Sequence, residues 1–142
     1  MCMALYLGSD RAIPPMPWAE GRSPVWTRTL SDDDEAVRAK FSKKHVSYVG
    51  AWEGCGCGFG YGTLPDVDED GAHELQCRAS VEALRTFLSD RLAYESDIEL
   101  FACWEGDQET SIEDSLEVST DFFGGEAFQF RERTFYRVTA AA

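Results

Sequence analysis

The chain is short of positive charge: 13 lysines and arginines stand against 26 aspartates and glutamates, with only two histidines. The deficit is uneven, since residues 1–44 sum to +1 and residues 45–142 to −14. A surface that negative repels phosphate backbones and anionic headgroups, which argues against nucleic acid and against a membrane as partners. No apolar run approaches the roughly 20 residues a membrane-spanning helix needs. No basic stretch leading into an apolar one opens the chain, which sets the expectation of a cytoplasmic protein. The five cysteines are an odd set and do not read as a closed disulfide framework. In a reducing compartment they are free thiols. Also absent are GxGxxG, GxxxxGK followed by Ser or Thr, and CxxC, so neither a nucleotide phosphate loop nor the common redox pair is spelled out.

What is present is enough for a core. The chain has 142 residues, 44% of them apolar and 13% aromatic, which predicts one compact domain over 1–142. Apolar runs at 2–8, 46–49 and 98–104 read as strands. Residues 11–26 carry four prolines and read as a wrapping segment pinned by Ile13, Met16, Trp18 and Trp26. Ser31 before DDDE predicts a capped short helix over 32–41, with Asp34 reaching back to the cap. Cys77, Val81, Leu84 and Leu88 recur at steps of four, three and four and predict a long helix over 71–94. Phe87, Leu92 and Tyr94 widen its apolar stripe, leaving Arg78, Glu82, Arg85 and Arg91 to face water. Residues 111–121 are acidic and ambiguous, and 128–138 read as strand material broken near Arg131 to Thr134. The expected architecture is α/β or α+β: a four- or five-stranded mixed sheet with one long and one short helix.

One short stretch concentrates the chemistry. Gly50 to Gly62 reads GAWEGCGCGFGYG, with six glycines and two cysteines in thirteen residues. Glycine packs almost nothing and costs backbone entropy, so such density signals a bend closed to other residues or a close approach of chain to chain. The stretch also has an echo: strand-then-WEG occurs at 46–54 and again at 98–106. If those strands are parallel neighbours, with the intervening helix as a right-handed crossover, their WEG ends share one edge of the sheet, where ligands commonly bind. Trp52 and Trp104 would then wall a pocket with Glu53 and Glu105 at its rim.

The cysteines suggest three chemistries. Cys55, Cys57, His73 and Cys77 together would supply three sulfurs and a nitrogen, a set zinc accepts, with His73 and Cys77 one helical turn apart. Cys2, Cys103 and His45 are the other available ligands. Cys55 or Cys57 could instead serve a thiol-dependent enzyme, with glycine N–H groups as an oxyanion hole and His45 or His73 as base. Cys2 would be an N-terminal nucleophile if Met1 were removed. Asp66, Asp68 and Asp70 match the first half of a calcium loop, but Cys77 stands where its bidentate glutamate belongs, and helix capping is the simpler reading. The expectation is a small acidic binding protein with its site at Trp52, Glu53, Cys55, Cys57, Trp104 and Glu105. Its partner would be a soft metal, a protein segment or a second copy of the chain, and a structural zinc domain or a thiol enzyme is the alternative.

Overall fold

The computed structural model describes residues 2–61 and 71–141. Six strands form one mixed sheet: β1 (Met3–Ser9), β2 (Val25–Thr29), β3 (His45–Ala51), β4 (Ile98–Trp104), β5 (Asp114–Ser119) and β6 (Thr134–Thr139). The strand order is β2-β3-β1-β4-β6-β5, with every pairing antiparallel except β5 on β6. Among the described residues there is one long helix, α1 (Ala72–Leu92), between β3 and β4 in the chain. The fold is α+β, with six strands where the sequence suggested four or five.

Strand alternation divides the side chains between two faces. Met3, Leu5 and Leu7 of β1 join Val49, Ala51, Ile98, Leu100 and Ala102 under α1, which contributes Cys77, Val81, Leu84 and Leu88. On the other face Ala4, Tyr6, Val46, Tyr48, Phe101 and Cys103 are covered by Trp26 and by Val37. Val37 belongs to a 3-10 helix, Glu35–Lys40, which stands where the sequence predicted a helix over 32–41. The central strands are therefore buried on both sides, which explains why MALYL and IELFACW are nearly continuous apolar runs. Each fully buried leucine contributes roughly 1.5–3 kcal/mol of apolar transfer.

Several expectations need correction. The proline-rich stretch gives way to β2 at Val25, which pairs with β3 along its whole length. Tyr94 does not widen the apolar stripe, since it is 73% exposed. Arg91 does not face water. It folds back to donate to Ser9 Oγ and to the carbonyls of Arg11 and Ala12. Asp34 does accept from Ser31 N–H at 3.1 Å, as a reaching-back carboxylate should, but it also accepts from Tyr6 O–H and Arg28 and is buried. Of the strand material read over 128–138, residues 128–133 form no strand; β6 starts at Thr134, just after Arg133 takes a left-handed φ of 51°. Among the described residues no helix is long and apolar enough to cross a membrane.

Topology places the site. Leu5 of β1 lies opposite both Val49 of β3 and Ala102 of β4. Because β3 and β4 are each antiparallel to β1, they run in the same direction and finish at the same end of the sheet, on either side of the start of β1. Both then turn through a glycine of left-handed φ, Gly54 at +87° and Gly106 at +102°. The repeated WEG is thus the same exit made twice: a half-buried tryptophan, an exposed glutamate, and a glycine in a conformation that other residues adopt at a cost.

Candidate functional site

After Ala51 the chain leaves β3 in a tight turn. Gly54 N–H donates to Ala51 O at 3.0 Å, and Ala51 N–H donates to Cys55 O at 2.8 Å. The turn is held from two directions. Trp52 N–H donates to Ser80 Oγ on α1 at 3.2 Å, and Trp18 Nε1–H donates to Trp52 O at 3.2 Å. A 3-10 turn, Gly56–Phe59, then carries the chain back against the start of β1. The approach is close: a Cβ on Gly56 would sit 2.8 Å from Met3 O and 3.3 Å from Leu5 N. This second demand for glycine comes from chain-on-chain contact.

The consequence is a cluster of thiols. Met3 N–H donates to Cys57 Sγ at 3.0 Å. Cys2, immediately before β1, accepts from Glu105 N–H at its carbonyl, which ties it to the end of β4. The sulfurs of Cys2, Cys55 and Cys57 all lie within 4.8 Å of one another. Cys2 is exposed and the other two are half-buried. Burial, together with the neighbouring thiols of Cys57 and Cys2, pushes the Cys55 thiol up to about 12. Cys55 therefore carries its proton at neutral pH, which counts against it as a ready nucleophile. A cation is what would draw that proton off, since metal binding to thiols releases protons.

A second cluster lies next to the first. Glu53, His73 and Cys77 place one ligand atom each within 4.8 Å of the others. His73 Nε2 is 2.5 Å from Glu53 Oε1, and His73 Nδ1 is 4.0 Å from Cys77 Sγ. The imidazole also meets the Trp52 ring edge-on, with centroids 5.3 Å apart. Cys57, Glu53, His73, Trp104, Phe59 and Phe130 help to line one cavity of about 230 Å³ at this end of the sheet.

The structure thus sorts the residues singled out in the sequence. Cys55 and Cys57 gather with Cys2, whereas His73 and Cys77 gather with Glu53, so the four proposed zinc ligands divide between two clusters. Trp104 and Glu53 border the cavity, but Trp52 lines a separate hollow of about 120 Å³ beside Gly21 to Pro24. Glu105 accepts from Tyr48 O–H at 3.3 Å, and Tyr48 belongs to the opposite face of the sheet. Cys103 is buried on that opposite face, where burial pushes its thiol up to about 12. His45 begins β3 and so stands at the far end of the strand. The aspartates of the calcium-like stretch, residues 66–70, lie outside the described residues.

Cys2, which the sequence offered only as a further available ligand, and Glu53, which it placed at a pocket rim, are the members of these clusters that the sequence-derived zinc set lacked. The signal for Cys2 was its position at the head of an apolar strand, which becomes informative only once that strand is known to lie between the two WEG strands. Comparison of the chain with known protein families, with curated proteins and with solved structures finds no match.

Proposed function

We propose that this protein binds a thiophilic metal ion, Cu⁺ or Zn²⁺, through Cys2, Cys55 and Cys57. The observation that carries the reading is the convergence of three sulfurs from two distant parts of the chain to within 4.8 Å. Zinc–thiolate bonds are about 2.3 Å long, so sulfurs around one ion lie roughly 3.8 Å apart, a separation that small side-chain rotations reach from here. Soft thiolate sets favour Cu⁺ and Zn²⁺ over magnesium and calcium. Three protein sulfurs complete a trigonal Cu⁺ site, or leave zinc a fourth position on the solvent side of the exposed Cys2. The strong negative charge of residues 45–142 adds a favourable field for a cation. Free thiols in such a site fit a reducing compartment such as the cytoplasm.

Native mass spectrometry of untagged protein purified without chelator, followed by titration with Zn²⁺ and with Cu⁺ under reducing conditions, tests this reading. The expected result is that the wild-type chain holds one more tightly bound ion than either Cys57→Ser or Cys2→Ser. Binding of neither ion, or binding in both variants undiminished from wild type, would remove the proposal.

A further inference from the structure

We propose that Glu53, His73 and Cys77 form a second metal position, separate from the three-thiol site and suited to zinc, with a coordination place open to the cavity at the sheet end. The donors are the His73 imidazole nitrogen and the Cys77 sulfur, both of which zinc accepts, with the Glu53 carboxylate beside them, one atom of each within 4.8 Å of the others. The site draws on two elements, since Glu53 sits in the turn after β3 while His73 and Cys77 lie one turn apart on α1. The helix fixes the relation of the last two: residues at i and i+4 share a face, and His73 Nδ1 is already 4.0 Å from Cys77 Sγ. A tetrahedral zinc ion holds nitrogen and sulfur roughly 3.6 Å apart, so the pair needs only a slight closing.

Glu53 orients the site. Its carboxylate oxygen lies 2.5 Å from the other ring nitrogen, Nε2, which is the carboxylate–histidine–metal relation that fixes the tautomer of a metal-bound imidazole. The Trp52 ring packs edge-on against the same imidazole and limits its rotation. With Glu53 on Nε2, the ion sits between His73 Nδ1 and the sulfur of Cys77, which is fully buried, beside the cavity that Glu53 and His73 border. The protein side of the ion is then closed by sulfur and nitrogen, and the cavity side admits water or a small donor ligand. On binding, the Cys77 thiol loses its proton to solvent as the zinc–sulfur bond forms, and no oxidant or reductant is needed.

This position and the three-thiol site are distinguishable by stoichiometry. Native mass spectrometry with excess Zn²⁺ should show two ions on the wild-type chain and one on His73→Asn, a substitution at a half-exposed side chain. Cys57→Ser should also retain one ion, the one held by the second position. In Co²⁺-loaded Cys2→Ser/Cys57→Ser protein, checked for native circular dichroism, a thiolate-to-cobalt charge-transfer band should appear and should vanish when His73→Asn is added. Unchanged zinc stoichiometry in His73→Asn overturns the proposal, as does a cobalt band that survives the added substitution. Loss of the ion in Cys57→Ser with retention in His73→Asn would leave the three-thiol site standing alone.

Discussion

The glycine run makes its sharpest demand at Gly56, and Gly56→Ala tests it. An alanine Cβ there would lie 2.8 Å from Met3 O, against an ordinary contact distance beginning at 3.4 Å, so about 0.6 Å of relief is required. The obstacle is backbone, and it belongs to a strand whose Met3 is paired with Trp104 of β4, so it cannot recede without disturbing the ladder. Forced overpacking of this kind costs about 1–3 kcal/mol. Reduced entropy of the unfolded chain returns about 0.4–1 kcal/mol when glycine becomes alanine, which leaves a net loss of about 1–2 kcal/mol. Gly60→Ala is the internal control. Its backbone is extended, and its Cβ would first meet the Gln129 side chain at 3.3 Å, a group that can give way. That variant should stay within about 1 kcal/mol of wild type. Urea unfolding followed by circular dichroism reads both. With a urea slope of about 2 kcal/mol/M, Gly56→Ala should lower the midpoint by roughly 0.5–1 M at unchanged slope. Equal midpoints for the two variants would refute the argument that the turn is built by contact with β1.

Three further outcomes follow from the same structure. Burial alone would push the Asp34 carboxyl up, but hydrogen bonds from Tyr6, Arg28 and Ser31 outweigh it and hold the group down at about 2, against an ordinary 3.8. The resulting stability, about 2 kcal/mol, is fully present above pH 3.8 and is lost as the pH falls through 2. The stability gap between wild type and Asp34→Asn should therefore shrink as pH is lowered across that window, and a gap constant with pH would contradict the assignment. Ser80→Ala removes the buried acceptor of Trp52 N–H and should cost about 1–3 kcal/mol in thermal or urea unfolding, whereas a cost below about 0.5 kcal/mol would show that α1 does not anchor the turn. Alkylation kinetics should find Cys55 slow at pH 7 in metal-free protein, because its thiol is pushed up to about 12, and fast labelling there would restore the thiol-enzyme reading.

How much of this was legible in the sequence depended on burial. The strand at 98–104 and the stripe Cys77, Val81, Leu84, Leu88 could be read because both are enclosed, so their apolar pattern is unmixed. By contrast β2 is short and follows four prolines, and β5 is an edge strand with an acidic, half-exposed DSLEVS sequence, so neither announced itself. The Ser31 capping pattern was real in part, but Asp34 serves a buried network that no local rule reveals, since Tyr6 lies 28 residues away. Arg91 looked solvated because it is charged, yet it follows Leu88 by three residues at the edge of the stripe, and its long side chain reaches the carbonyls of the wrapping segment. The location of the candidate site followed from the glycine density and the WEG echo. Its membership did not, because the placement of β1 between β3 and β4 is a long-range pairing. That pairing brings Cys2 to Cys55 and Cys57 and leaves His73 and Cys77 with Glu53.

X-ray absorption on the chain loaded with one equivalent of Cu⁺ or Zn²⁺ reads the ligands of the bound ion directly. The three-thiol assignment predicts an inner shell containing three sulfurs, at about 2.3 Å for zinc. A shell of nitrogen and oxygen alone would contradict it.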